Sequence, residues 1–505
     1  MAVIGAGVAG LTASHDLALL GYKVTVFESD SVAGGMLMTG VPVYRLPRAL
    51  VQMEIEAIKS LGVEIQLNTV VGKDITIPGM RQQGFGAILI AAGLQKGRGL
   101  NIEGVELEGV LSGIEFPKNV NSGKEVHLGE RVVVIGGGNV AFDVARSAIR
   151  SRTGAFQAEA KDFYEMADAS RMALRTGAKE VHLVCLESRN EMPADELEIH
   201  EGVEEGAVLH PSRGPLKVVG KNGKATGLAT RKVKSVFDAE GRFNPVFDEE
   251  AGEIIDADTI ILSIGQSADL GFLKDLPELT LTKQNLVQID PITKATNIPD
   301  IFACGDVAEG ARLFINAVAS GQRAAQSIDT YIRGKEVVAI QEGTFELPLP
   351  HVMTEGYLQL DRINPPVLYP SERAASTKIV ELNFEESVAK EQGARCLKCH
   401  INTIFNGELC ILCNGCVDVC PTYCLALVPL TQIQIEPRLE QVFVNRYGVD
   451  VQQMAETEGY HAVKSLGSAM IKDEELCIRC GYCEKRCPTG AVTMEHFSYQ
   501  QTYGA

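Results

Sequence analysis

With 505 residues, 45% of them hydrophobic and 22% charged, the chain is too long for one ordinary core and too apolar for wholesale disorder, so about three or four domains are expected. Lys and Arg total 47 against 65 Asp and Glu, a net charge of −18 that a nucleic-acid backbone would repel. No apolar run reaches membrane-spanning length, and a glycine-rich element starting at Met1 leaves no room for a signal peptide, so a cytoplasmic protein without membrane insertion is expected.

The first segment reads as strand, glycine turn, helix and strand. Ala2-Val3-Ile4 leads into Gly5-x-Gly7-x-x-Gly10, a helix follows to Leu20 with Gly21 as its stop, and Lys23–Phe27 forms the next strand. Such glycines permit a tight turn and close approach of backbone to a pyrophosphate at the helix N-terminus. Glu28, ending the second strand, is placed to accept hydrogen bonds from a ribose diol.

A second unit begins at Arg131. Val132–Ile135 precedes Gly136-x-Gly138-Asn139-x-Ala141, and Glu180–Leu186 is its second strand. Ala141 in the third position is an accepted variant, and Glu187 is the acidic counterpart that favours a free 2′-hydroxyl, hence NAD over NADP. Arg189 is near enough to reach a phosphate instead.

After Arg150 an extra stretch places Phe156, Ala160, Phe163, Ala167 and Leu174 on one helical face, read as a packed helix. Residues 253–264 read as strands closing the second unit, and 301–306 as a strand before a helix over 314–331. Residues 339–385, with Pro348, Pro350, Pro365, Pro366 and Pro370, read as an extended linker. The expected divisions are 1–125 and 266–338 for a first nucleotide domain, 126–265 for a second, and 386–505 for a cysteine module.

The chain has 13 cysteines, and all but Cys185 and Cys304 lie between Cys396 and Cys487. Such clustering points to metal ligation rather than disulfides. Cys410-x2-Cys413-x2-Cys416-x3-Cys420-Pro421 recurs as Cys477-x2-Cys480-x2-Cys483-x3-Cys487-Pro488, the spacing of two-cluster bacterial ferredoxins. In that pattern the fourth cysteine ligates the other cluster. One [4Fe–4S] cluster is therefore expected on Cys410, Cys413, Cys416 and Cys487, the second on Cys477, Cys480, Cys483 and Cys420. Structural zinc is the competing reading. An excursion is expected over about 429–470. Cys396, Cys399 and Cys424, with His400 adjacent to Cys399, are expected to pack near the first cluster, with a third metal site as the alternative, and are assigned no ligand role. No Cys-x-x-Cys occurs before Cys396, which argues against a dithiol beside a flavin.

Two dinucleotide folds in one chain suggest one for FAD and one for nicotinamide. Val3 to Glu28, Gly34-Gly35-Met36, Tyr44-Arg45-Leu46-Pro47, Gly72-Lys73-Asp74-Ile75, Ala91-Ala92-Gly93, Ile135 to Asp143 and Ala303-Cys304-Gly305-Asp306 resemble the small subunit of glutamate synthase and the FAD segment of dihydropyrimidine dehydrogenase. That resemblance implies an α/β fold with an FAD domain interrupted by a nicotinamide domain, completed here by a small α+β ferredoxin-like module. It implies that Gly34, Gly35 and Arg45 line FAD and that Asp306 meets its ribityl or pyrophosphate portion. Ala92, Gly93, Gly265 and Gly305 complete the cofactor-binding set. NADPH-using relatives carry Tyr-Arg-Arg where Cys185-Leu186-Glu187 stands, a difference that favours NAD(H). The family's amino-terminal iron–sulfur domain is not present, which points to a shortened start or to a domain on another subunit.

The expected function is that of an electron-transfer subunit linking NAD(H), FAD and two [4Fe–4S] clusters. Its partner is another subunit of a redox complex, such as a 2-oxoacid:acceptor oxidoreductase, or a ferredoxin-type carrier. No catalytic acid, base or nucleophile is needed for that exchange, and none is assigned. The alternatives are an NADPH-dependent glutamate-synthase-type subunit and a free-standing NADH:ferredoxin oxidoreductase.

Overall fold

A computed structural model of the chain describes residues 1–122, 126–151, 178–238, 241–248, 252–335, 339–346, 360, 362–394, 401–433, 443–444, 448, 450–451, 453–454, 467–474 and 476–503. The helix expected after Arg150, most of the excursion over 429–470, and Cys396, Cys399 and His400 lie outside these residues. Two compact units emerge: Met1–Ala339 with Pro365–Asn383, and Ile340–Asn364 with Phe384–Ala505.

The first unit holds two five-stranded parallel sheets. One runs, edge to edge, Ile301–Ala303, Ile88–Ile90, Ala2–Ile4, Thr25–Phe27, Glu64–Gln66. The other runs Val110–Ser112, Thr259–Leu262, Arg131–Ile135, Glu180–Val184, Ala207–His210. Their central strands, Ala2–Ile4 and Val132–Ile135, are buried throughout, as short all-apolar runs must be when helices cover both sheet faces. The first sheet takes its last strand from beyond the second sheet, so the second fold is inserted in the first. Val8–Leu19 and Phe314–Ile332 pack on each other beside the first sheet.

Three stretches differ from the sequence reading. Residues 253–264 split between two sheets. Ile254–Asp256 alternates exposed, buried, exposed and pairs antiparallel with Lys224–Phe237, whereas Thr259, Ile260 and Ile261 are buried in succession in the parallel sheet. The antiparallel sheet also takes in Arg213–Lys221 and Phe243–Phe247. The strand at 301 stops at Ala303, because Gly305 at φ 70° turns the chain into a short helix, Asp306–Glu309.

The stretch read as a linker is not one throughout. Ala339–Glu346 is a strand beside Val492–Tyr503. Residues 365–383 belong to the first unit, where Ala374 and Val380 enter its core and the Val380 N–H donates to the Tyr44 carbonyl at 3.2 Å. The proline content fits a turn-rich strap, and its few apolar residues are enough to anchor it.

The second unit is built on a duplication. Ile401–Phe405 pairs antiparallel with Val492–Tyr503, while Leu425–Pro429 pairs antiparallel with Ser468–Lys472. Each cysteine motif thus lies between a strand of one pair and a strand of the other. The short helices Gly415–Asp418 and Tyr482–Arg486 follow equivalent positions of the two motifs and contact each other. Among the described residues no helix is long and apolar enough to cross a membrane.

Candidate functional site

The first glycine turn is held by close backbone packing. A Cβ on Gly10 would stand 2.1 Å from the Gly5 carbonyl oxygen and 3.3 Å from the Ala91 Cβ. Gly35, at φ 53°, comes so close to Gly7 that a Cβ there would lie 2.8 Å from the Gly7 Cα, a conformation and a space that suit only glycine. The Gly34 N–H donates to the Ala6 carbonyl at 2.8 Å, and Gly305 abuts Ala9. Gly5 lies against Ala91 and Ala92, which brings in the segment ending at Gly93. The N-terminus of Val8–Leu19 is therefore ringed by residues from four separate stretches of sequence.

Glu28 closes this ring. It is buried, accepting from the Ala6 N–H at 2.7 Å and the Asp30 N–H at 2.8 Å. Burial pushes its carboxyl pKa up, against the lowering pull of those backbone hydrogen bonds. Asp306, half-buried at the start of its helix, is also shifted upward by burial. Next to it Leu313, Phe314 and Ile315 are 66%, 64% and 57% exposed at the start of a 19-residue helix. The sequence reading overlooked them. Their signal was three adjacent large apolar residues directly after a polar turn. If this turn holds the flavin that the resemblance implies, replacing Gly10 by alanine is expected to give a chain purified without flavin, because the clash is with the Gly5 backbone. The flavin-to-protein absorbance ratio measures this, and a full flavin complement would contradict it.

The second turn repeats the arrangement. Gly136 packs against the Ser263 carbonyl, and a Cβ on Gly137 would lie 2.8 Å from a Glu187 carboxylate oxygen. Glu187 thus lies beside Gly137, the position that corresponds to Ala6 in the first turn. Asn139 accepts from the Asp195 N–H at 2.8 Å, fixing the turn to the loop before Glu196–Glu204. Ala141 is fully buried at the helix start. Gly265, at φ 103°, stands near Arg98 rather than in the turn. Arg189 is engaged with Glu196 at 3.1 Å.

Arg45, expected to line a flavin, also has carboxylate partners. Its guanidinium pairs with Asp143 and Glu198. It belongs to a buried ionic cluster in which Arg146 and Arg150, 1% and 0% exposed, meet Glu205 at 2.8 Å each. Arg146 also reaches Glu198 at 2.9 Å and Glu201 at 2.7 Å. Arg373 of the strap joins Glu201 at 3.4 Å and also pairs with Glu204. The Arg150 guanidinium lies 3.7 Å from the ring centroid of Tyr44, whose hydroxyl burial pushes up to about 12. The cluster joins the Tyr44–Arg45 turn, two helices of the second fold and the strap. Its signal in the sequence is the spacing of Asp143, Arg146 and Arg150 along one helix face, opposite Glu198, Glu201 and Glu205.

Cys185 and Cys304 are both buried. Burial pushes the Cys185 thiol up to about 12 and also raises that of Cys304, so both are held as neutral thiols.

The motif cysteines gather in the second unit. One pocket is lined by Cys477, Cys480 and Cys483 together with Cys420 of the other motif, and by Cys424. Both motif loops adopt the same unusual backbone: Leu412 and Arg479 have φ 55° and 54°, Asn414 and Gly481 have φ 61° and 74°. Three of these four are not glycine, so the left-handed turns are imposed by the fold around the cysteines. Lys472 and Arg479, lining the same pocket, both pair with Glu474. Among the described residues no three His, Cys, Asp or Glu side chains close on one point that would hold a single ion. What fits an iron–sulfur cluster is the donor set of four thiols around a hollow. Of the four cysteines expected for the first cluster, Cys413 is exposed, Cys416 is buried, and Cys410 and, from the second motif, Cys487 are half-buried.

Residues 1–321 match the pyridine nucleotide-disulphide oxidoreductase family, and residues 470–493 match the 4Fe-4S binding domain. The latter span contains Cys477, Cys480, Cys483 and Cys487. The NADP(+)-dependent formate dehydrogenase subunit beta of Moorella thermoacetica is 37% identical over 416 residues, covering 79% of this chain and 54% of its own length. The glutamate synthase [NADPH] small chain of Azospirillum brasilense is 30% identical over 346 residues, covering 66% of each. The chain thus spans about half the length of the formate dehydrogenase relative. Among solved structures, Mycobacterium tuberculosis FprA in complex with NADPH matches with a TM-score of 0.55 at 19% identity, over 66% of this chain and 84% of that one, a likeness of fold.

Proposed function

This chain belongs to the pyridine nucleotide-disulphide oxidoreductase family and carries a 4Fe-4S binding domain, and from that premise we propose that it passes electrons between NAD(H), FAD and two [4Fe–4S] clusters, to or from a partner oxidoreductase subunit. The observation that carries this reading is the interleaved cysteine pocket in a chain that also has two glycine turns, each with a carboxylate beside it. Flavin, when bound, accepts a hydride and releases electrons singly, which is what links a nicotinamide to one-electron carriers.

In this reading Gly5, Gly7 and Gly10 leave the N-terminus of Val8–Leu19 open to a pyrophosphate, and Glu28 takes the ribose hydroxyls. Gly34, Gly35, Ala92, Gly93, Gly305 and Asp306 form the remaining wall. Leu313, Phe314 and Ile315 supply an apolar cover that keeps water from the reacting face. Arg45 acts at one remove, holding the turn after Gly35 against the second fold through Asp143 and Glu198. Cys185 and Cys304 stand apart from any second thiol in the first unit and take no part as a dithiol.

Glu187 against Gly137 supports NAD(H) as the nicotinamide, since a 2′-phosphate would meet a carboxylate there. The names of both relatives above point to NADP(H) for those proteins. The test is anaerobic bleaching of the flavin by each nucleotide. NADH is expected to act at a concentration at least about tenfold lower, a difference of about 1.4 kcal/mol. Glu187→Arg is expected to reverse the order, and equal response of the parent chain to both nucleotides would contradict the assignment.

A partner subunit is suggested by the relatives' names, which describe subunits or chains of larger enzymes. A formate-oxidising subunit is one candidate, from the Moorella relative's name, and a 2-oxoacid oxidoreductase is another.

A further inference from the structure

Cys424 belongs to neither cysteine motif, yet it lines the pocket of the second cluster site with Cys420, Cys477, Cys480 and Cys483. Its Sγ is 3.4 Å from the Cys420 Sγ, and its backbone N–H donates to the same sulfur at 3.3 Å. The duplication provides an internal comparison. Cys420-Pro421-Thr422-Tyr423-Cys424 in one half corresponds to Cys487-Pro488-Thr489-Gly490-Ala491 in the other.

The two stretches share a conformation. Tyr423 and Gly490 both turn left-handed, at φ 53° and 67°, and the Thr422 and Thr489 hydroxyls lie 3.7 and 3.6 Å from the Cys420 and Cys487 sulfurs. The residue that follows carries a methyl group in one half and a thiol in the other. A buried cysteine is by default a small packed hydrophobe. Here the sulfur is turned toward a ligand sulfur and into the pocket, where packing alone would be served by the alanine its counterpart uses.

Resting on the two-cluster reading above, we infer that Cys424 is a reserve ligand of the second cluster site, able to take the iron held by Cys420. In the exchange the Cys424 thiol gives up its proton as its sulfur binds iron, and the Cys420 sulfur takes up a proton as its bond to that iron breaks. No electron changes hands. The two halves then differ in a way their motifs do not reveal. The second site tolerates loss of Cys420, and the first does not tolerate loss of Cys487.

The test compares anaerobically purified full-length variants by iron and acid-labile sulfide content, with EPR of the reduced protein. The parent chain is expected to hold about eight iron atoms. Cys420→Ala is expected to keep about eight with an altered signal for one cluster, whereas Cys487→Ala and the double variant Cys420→Ala/Cys424→Ala fall to about four. A drop to about four in Cys420→Ala alone overturns the inference. A parent chain with only about four would instead remove the two-cluster reading on which it rests. Should Cys420→Ala fail to accumulate, loss of iron to a chelator is followed in the parent, Cys424→Ser and Cys424→Ala. Both variants are expected to lose iron several-fold faster than the parent. Parent-like rates in Cys424→Ser would reduce Cys424 to packing and overturn the inference.

Discussion

Replacing Cys483 by alanine is expected to halve the iron and sulfide content of the chain, from about eight iron atoms to about four, and to stop electrons at the flavin. Cys483 lines the pocket that also holds Cys477, Cys480 and Cys420, drawn from both motifs. Removing one thiolate from such a set leaves an iron with an open position. The glycine turns, Glu28 and Glu187 lie in the other compact unit, so NADH is still expected to bleach the flavin. Reduction of a one-electron acceptor such as a ferredoxin is expected to fall away. EPR and acceptor assays on the same sample separate the two steps. A variant with full iron content, or one whose flavin no longer bleaches, would contradict this division of labour.

The second large effect is on stability. Glu205→Ala is expected to cost roughly 3–5 kcal/mol, because it strands buried positive charge. The Glu205 side chain is fully buried and is shared by Arg146 and Arg150, themselves almost without solvent contact. By contrast, Asp258→Ala removes a partner of Arg131 at 2.7 Å where both side chains are 36% exposed, and is expected to cost about 1 kcal/mol or less. Denaturant unfolding of the two variants measures the contrast. Similar losses in both would mean that the buried cluster adds nothing beyond a surface pair.

The same cluster explains why part of the site was illegible in sequence. Tyr44-Arg45-Leu46-Pro47 pointed to a flavin contact by resemblance, and the pairing of Arg45 with Asp143 and Glu198 was not part of that reading. Nothing local to Arg45 indicates this, since its partners come from helices far along the chain and are brought near only by packing of one fold on the other. Glycine turns were legible because their constraint is local. Gly10 and Gly35 have neighbours that exclude a side chain, and a pattern of glycines records that directly. Glu28 and Glu187 were legible for the same reason, each following the strand after its turn, Glu28 directly and Glu187 three residues beyond Val184.

Where period and burial conflicted, sequence reading blurred. Ile254–Asp256 and Thr259–Leu262 are both β-rich, and only the one-sided burial of the first separates the antiparallel sheet from the parallel one. In the strap, proline content masked two apolar anchors, Ala374 and Val380. The cysteine module was the most legible part, because ligand spacing must match a rigid inorganic body. Its pseudo-twofold pairing, with Ile401–Phe405 on Val492–Tyr503 and Leu425–Pro429 on Ser468–Lys472, brings Cys420 of one motif beside Cys477, Cys480 and Cys483 of the other, as the proposed exchange of fourth ligands requires.

The most direct test of the account is an anaerobic titration of the isolated chain with NADH, followed at once by flavin absorbance and by EPR of the clusters. The account predicts bleaching of the flavin first, then two [4Fe–4S] signals that grow in as more NADH is added. A flavin that bleaches fully with no cluster signal at any NADH concentration would contradict the claim that this chain carries electrons from nicotinamide through flavin to iron–sulfur clusters.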